Sequence, residues 1–105
     1  MQKLDIQHRS EGGNPAGGHV HGIGIEIHFQ NGPMGIVGAN RIGQNGAFVE
    51  DLINSAISRL EFYQKSKFKS EHNEEAIKGL QVALKALNER SKDREERGVE
   101  GTHKV

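Results

Sequence analysis

Residues 47–64 read AFVEDLINSAISRLEFYQ, and the spacing of their apolar side chains decides the fold. The apolar positions fall at i, i+3, i+4, i+7, i+8, i+11 and i+14: Val49, Leu52, Ile53, Ala56, Ile57, Leu60 and Tyr63. With 3.6 residues per turn, this spacing gathers them into one stripe and leaves the opposite face polar. The segment therefore predicts an amphipathic helix from Ala47 to about Gln64.

A second helical segment follows the basic loop KSKFKS at 65–70. Asn73 is suited to the N-cap, because its side chain can accept a bond from a free backbone N–H. The apolar stripe of this helix consists of Ile77, Leu80, Leu84 and Leu87. Gly98 is typical of the residue just past a helix end. We expect residues 47–97 to form a long antiparallel helical hairpin, followed by a tail at 98–105.

Upstream of the hairpin the apolar period changes to two. Residues 23–30, IGIEIHFQ, alternate apolar with polar side chains, as a half-buried strand does. Residues 31–33 form a turn, and residues 34–37 predict a short returning strand. Asn45 and Gly46 close this region and are suited to capping the next helix. The sequence thus predicts an α+β fold, with a small N-terminal antiparallel sheet before the hairpin.

The first part of the chain is polar and rich in glycine. We expect residues 1–22 to be a flexible arm, residues 23–105 to be a single domain, and residues 23–46 to hold its strands and turns. Leu, Ile, Val and Phe together number 25 of 105 residues, which is little for a monomeric core. We therefore expect the protein to be a homo-oligomer that completes its core by self-association.

The overall composition excludes several classes of function. Lys plus Arg and Asp plus Glu both number 14, so no net field attracts DNA, RNA or an anionic membrane. The chain has no cysteine, which excludes a disulfide framework and thiol catalysis. No apolar run approaches the roughly 20 residues of a membrane span, and no signal peptide is visible. We expect a soluble intracellular protein.

Two glycine patterns come close to nucleotide-binding motifs. Gly38 and Gly43 have the spacing of a nucleoside-triphosphate loop, but the lysine and hydroxyl that must follow are replaced by Gln44 and Asn45. A second pattern starts upstream at 22–24 and fails because its third glycine position, 27, is isoleucine. Turns between short strands are the favoured interpretation of these glycines.

The end of the second helix carries arginines near the continuation of its apolar stripe. These are Arg90, Arg94 and Arg97. One interpretation is a solvated helix end, because acidic residues at 89–96 supply partners for ion pairs. The other is a subunit interface where arginines bind an anion, since the guanidinium fork grips phosphate oxygens and keeps its charge. The spacing leaves both open.

Three histidines are candidate ligands of a metal ion: His19, His21 and His28. A metal centre needs ordered ligands and ordered residues behind them. Histidines near a flexible arm, without cysteine or a clear acidic partner, favour incidental residues instead. No pair of nucleophile and base can be assembled either. We therefore expect no metal, no cofactor and no enzymatic activity.

Four segments resemble phage anti-defence sponges: RLEFYQ at 59–64, HNEEAI at 72–77, NERSKDREERGVEGT at 88–102 and IHFQNGPMGIVGANRIGQNGAFVEDL at 27–52. The likeness is to the Thoeris anti-defence branch, which shares a helical hairpin with the anti-CBASS sponges. It implies a small dimer or hexamer in the cytoplasm of the infected bacterial host. Such a protein holds glycocyclic ADP-ribose uncleaved, or, in the anti-CBASS branch, cyclic di- and trinucleotides.

The resemblance also implies which residues bind the ligand. Tyr63 corresponds to the aromatic side chain that stacks on a base, and Asn73 to a polar contact at the start of the second helix. Arg90 corresponds to a ligand-binding arginine near the end of that helix, with Arg94 and Arg97 as further candidates. A helical hairpin that binds a protein partner through its apolar face remains the alternative from another class.

Overall fold

A computed structural model describes residues 1–105 and confirms the predicted α+β fold. Its elements are β1 (Asp5–Glu11), β2 (Asn14–Gly22), β3 (Ile25–His28), α1 (Val49–Gln64) and α2 (Glu71–Glu96). The chain divides into two compact units. We call Met1–Phe48 with Glu95–Val105 the sheet unit, and Val49–Arg94 the hairpin unit. Neither helix has the length and hydropathy that crossing a membrane requires.

The sheet unit contains one antiparallel sheet with the strand order β1-β2-β3. Ile6, Val20 and Ile27 are paired across its three strands. Val20, on the central strand, is only 7% exposed and is the one buried large apolar side chain of this unit. Because side chains alternate between faces along a strand, the opposite face carries the polar residues of β2.

The flexible arm that we expected at residues 1–22 is wrong, because residues 5–22 form β1 and β2. Gly12 and Gly13 join the two strands with φ of 58° and 80°, as a two-residue hairpin turn requires. Gly18 lies against the Gln7 carbonyl oxygen, where a Cβ atom would collide. The glycines that suggested disorder are thus needed for a turn and for close strand pairing.

Two local predictions after β3 are also wrong. Residues 34–37 form no strand; instead the Asn40 side chain accepts a bond from Ile36 N at 2.8 Å within a turn. Asn45 does not cap α1. Its side chain bonds both backbone groups of Asn31, through Oδ1 at 2.9 Å and Nδ2 at 2.8 Å. Amide side chains therefore replace the backbone ladder that a returning strand would have provided.

In the hairpin unit the two predicted stripes are confirmed as the less exposed faces of the helices, except at Val49, which is 53% exposed. The half-buried side chains of α1 are Leu52, Ile53, Ala56, Ile57, Leu60 and Tyr63. On α2, Ile77 is 5% exposed, and Leu80, Leu84 and Leu87 are half-buried. All α-carbons of α1 lie more than 8 Å from those of α2. The stripes are therefore not interlocked as in helices whose axes lie about 8–10 Å apart.

The loop between the helices is held by one amide side chain. Gln64 Oε1 accepts a bond from Ser70 N, and Gln64 Nε2 donates to Ser70 O, both at 3.0 Å. Ser70 Oγ in turn accepts a bond from Asn73 N at 3.0 Å. Ser70 is therefore the N-cap of α2, and the expectation that Asn73 caps this helix is wrong. Asn73 lies one turn inside it.

Replacing the cap tests this assignment. We expect Ser70→Ala to lower the free energy of unfolding by about 1 kcal/mol, because one N–H of the first turn loses its acceptor. Urea unfolding at a fixed protein concentration measures the change. Ser58→Ala is the matched control: Ser58 is exposed within α1, and its replacement should leave stability unchanged or raise it slightly, because alanine has the higher helix propensity. Equal stability of the two variants would contradict the assignment.

Candidate functional site

Tyr63 lies in the last turn of α1 and is half-buried. Arg59, one turn earlier, donates from Nε to Tyr63 Oη at 3.2 Å. Its guanidinium carbon is 5.0 Å from the centre of the Tyr63 ring and 4.8 Å from that of Phe62. The three side chains form a cluster of two aromatic rings and a cation. Arg59 was not among the predicted site residues, although residues three and four apart on a helix are neighbours.

Asn73 is half-buried near the same end of the hairpin as Tyr63. Its Nδ2 donates to Phe68 O at 3.1 Å, which leaves Oδ1 without a hydrogen bond. Tyr63 O accepts a bond from Ser66 Oγ at 2.6 Å. Both predicted residues are thus anchored to the same loop, 65–70. The structure brings an aromatic ring and an amide to one end of the hairpin.

The predicted arginines differ in their surroundings. Arg90 is exposed on α2, and its side chain makes no ion pair or hydrogen bond. Arg94 is half-buried in line with the apolar stripe of α2. Arg97 donates from Nη1 to Val105 O at 2.8 Å. The structure therefore contradicts the interpretation in which Arg90 forms an ion pair on the surface.

A single chain does not bring Arg90 to Asn73. The two residues are 17 positions apart on α2, which corresponds to about 25 Å along the helix axis. Two open grooves lie on the hairpin unit. One, of about 350 Å³, runs along α2 beside Leu84 and Glu89, and the other, of about 600 Å³, runs along α1 beside Phe62. Neither groove is lined by Tyr63, Asn73 or Arg90.

The chain after α2 turns back within the sheet unit. Gly98, with φ of 71°, ends the helix as predicted. Arg41 Nη2 lies 3.1 Å from both carboxylate oxygens of Glu100, and Arg41 Nη1 donates to Gly35 O at 2.9 Å. Gly35 N donates to Gly101 O at 2.7 Å. The closing segment GVEGT therefore has a structural role, and Arg41 is engaged in holding it.

A match to a family model of a hairpin domain identifies the family of the chain. A family model described as "Acb2/Tad1, hairpin domain" matches residues 21–91, which is more than half of the sequence. The chain therefore belongs to this family, and the resemblance drawn from the sequence is confirmed. The matched range contains Tyr63, Asn73 and Arg90, but it ends before Arg94 and Arg97.

The chain is also similar to a particular relative, "Thoeris anti-defense 1" of Bacillus phage SBSphiJ7. The two sequences are 46% identical over 77 residues, which is 73% of this chain. The match covers 51% of the relative. The chain thus spans about half the length of the curated relative that it matches.

Proposed function

We propose that this protein is a non-catalytic sponge that binds glycocyclic ADP-ribose and thereby blocks a host anti-phage defence. The observation that carries the proposal is the 46% identity to a phage protein named for opposing the Thoeris defence. A sponge of this kind acts in the cytoplasm of the infected bacterium, where the immune signal is made. It needs high affinity for the signal and no chemical step.

The ligand has two features that the candidate residues suit. Its adenine offers a face for the Tyr63 ring, and base–aromatic stacking is worth about 1–3 kcal/mol in nucleic-acid binders. Its pyrophosphate suits a guanidinium, because charge-assisted bonds to phosphate are strong and specific in geometry. Arg90 has no carboxylate partner to release before it binds such an anion. Asn73 Oδ1 is an available acceptor for a base amino group or a ribose hydroxyl.

Two copies of the chain are needed to assemble this pocket. Within one chain about 25 Å of helix separates Asn73 from Arg90, which is too far for a single cyclic nucleotide to bridge. We assign Tyr63 and Asn73 to one copy and Arg90 to another, with Arg94 beside it. Arg97 stays outside the proposed pocket, since it already holds Val105 O. The half-buried stripes of both helices supply the apolar surface for this pairing.

Two other functions remain candidates. The resemblance drawn from the sequence extends to the anti-CBASS sponges, which share the helical hairpin, so cyclic di- or trinucleotides of CBASS are the second ligand class. A protein-interaction module is the third, because Phe62 and Val82 are exposed on the helices. A thermal-shift panel of cyclic nucleotides separates these functions, since a ligand that binds only the native state raises the melting temperature. A module that binds only proteins would respond to none of them.

The first prediction concerns assembly. Because Ile77 is the one buried large apolar side chain of the hairpin unit, we expect an obligate homo-oligomer. A dimer is the minimum, and the resemblance implies a hexamer built as a trimer of dimers. Light scattering at micromolar concentration should give at least twice the chain mass of 11.6 kDa. The mass of a single chain would contradict the two-copy pocket.

The second prediction concerns the fate of the ligand. A sponge returns its ligand unchanged, so glycocyclic ADP-ribose released by heat denaturation should be chemically intact. Chromatography after a long incubation with excess ligand measures this directly. Ring-opened or hydrolysed product in excess over protein would identify the chain as an enzyme.

The third prediction concerns the pocket. We expect Tyr63→Ala and Arg90→Ala each to weaken binding by roughly ten- to a hundredfold, because each removes about 1.5–3 kcal/mol of contact. Titration calorimetry with glycocyclic ADP-ribose provides the measurement. Light scattering on the same samples must show an unchanged oligomer.

Lys85→Ala is the matched control for Arg90→Ala, because Lys85 is an exposed cation on another face of the same helix. It should bind with wild-type affinity. If Arg90→Ala also bound like the wild type, Arg90 would have no part in the pocket. If Tyr63→Ala lowered the melting temperature without weakening binding, the ring would be part of the core instead.

A further inference from the structure

The polar face of the sheet unit gathers histidines and carboxylates from all three strands. Asp5, His21 and Glu26 are paired across β1, β2 and β3. Two residues earlier on β2, and on the same face, His19 is paired with His28 on β3. Because alternate residues share a face, these side chains all lie opposite Val20. None of them belongs to the ligand pocket proposed above.

Three donor atoms within this group surround one point. Glu26 Oε1 lies 3.2 Å from His28 Nε2 and 3.9 Å from His21 Nε2, and all three donor atoms lie within 4.8 Å of one another. His21 Nε2 is buried and has no hydrogen-bond partner. A buried polar atom without a partner costs about 1–3 kcal/mol. A ligand at this point would remove that cost.

We infer that His21, Glu26 and His28 form a binding site for a divalent transition-metal ion, with Zn²⁺ as the best fit. Imidazole and carboxylate are the donors that zinc takes in sites with three protein ligands. Zinc–ligand bonds of about 2.0–2.1 Å place tetrahedral donors roughly 3.3 Å apart. One of the two distances to Glu26 already has this value, and small side-chain rotations bring in His21. A water molecule completes the coordination.

A neighbouring histidine fixes the orientation of the ligand on β2. The His19 ring stacks on His21, with centroids 4.2 Å apart and planes inclined by 13°. Both nitrogens of His19 are engaged, Nδ1 with Arg9 Nη2 and Nε2 with Asp5 Oδ2, each at 3.2 Å. The group of Asp5, His19 and His21 also has metal-ligand spacing. The Arg9 cation disfavours a metal ion there, so we assign the ion to the side of Glu26 and His28.

The ion would link β2 to β3. His21 and His28 lie on adjacent strands, and β3 is only four residues long. A metal that binds the folded sheet and not the unfolded chain stabilises the sheet by mass action. The expectation of incidental histidines depended on a flexible arm without an acidic partner. The structure has ordered strands instead, and Glu26 supplies that partner.

Zinc titration of the full-length protein, after treatment with a chelator and its removal, tests the site. Calorimetry should give one Zn²⁺ per chain, and zinc should raise the melting temperature. Replacing Zn²⁺ by Co²⁺ should give the intense visible absorption of a tetrahedral site. His21→Ala, His28→Ala and Glu26→Gln should each weaken zinc binding by at least tenfold. His103→Ala, outside the cluster, should bind zinc like the wild type.

Two outcomes would overturn the inference. One is a wild-type protein that shows neither zinc-dependent heat nor a cobalt spectrum at tens of micromolar metal. The other is zinc binding that survives His28→Ala and Glu26→Gln but is lost in Asp5→Asn, which would move the ion to the other triplet. Circular dichroism of each variant checks that it is folded. The cobalt spectrum of the wild-type protein tests the site even if a variant does not fold.

Discussion

An amphipathic helix is stable only where something covers its apolar stripe, and α1 and α2 do not fully cover each other. Their α-carbons stay more than 8 Å apart, and most of the stripe is only half-buried. Gln64 and Ser70 hold the two helices together at the loop, through paired amide bonds and an N-cap. The hairpin is thus anchored at one end, and its apolar faces are available along the rest of its length. A second copy of the chain is the partner that the proposed pocket requires.

This constraint also explains why the proposed pocket belongs to an assembly. The loop end of the hairpin supplies an aromatic ring and an amide, whereas an unpaired guanidinium lies about 25 Å away along α2. An antiparallel arrangement of two hairpins would bring the loop end of one to the Arg90 region of the other. Self-association would then bury the stripes and assemble the pocket together, so binding and oligomer stability would be linked.

The sequence predicted the helices better than the sheet, for a physical reason. The 3.6-residue period of α1 and α2 is local and strong, so both helices and the end at Gly98 were found. Pairing of β1 with β2 depends on contacts between distant residues and on a turn of two glycines, which in composition resembles disorder. Ser70 was missed as a cap because Asn73 is also a good capping residue, and only the backbone geometry distinguishes them.

The candidate sites likewise contain features that the sequence could predict and features that it could not. Tyr63, Asn73 and Arg90 came from a resemblance to a family, which supplies residue types but not their separation in space. The spacing of Arg59 from Tyr63 was available in the sequence, and the cluster could have been found from it. The histidine cluster could not, because it needs the register of three strands. Register is set by the whole sheet, and a shift of one residue would move His21 to the opposite face.

In the proposed assembly, one pocket takes Tyr63 from one copy and Arg90 from another. This sharing is tested by mixing the Tyr63→Ala and Arg90→Ala variants and unfolding and refolding them together. Each variant alone has only damaged pockets. In an equal mixture that pairs at random, half of all dimers contain one chain of each variant, and each such dimer regains one intact pocket of its two. Calorimetry should then recover tight glycocyclic ADP-ribose binding at about a quarter of all sites. If no tight binding returned, although mass spectrometry showed mixed dimers, the pocket would not be shared between copies and our account would be wrong.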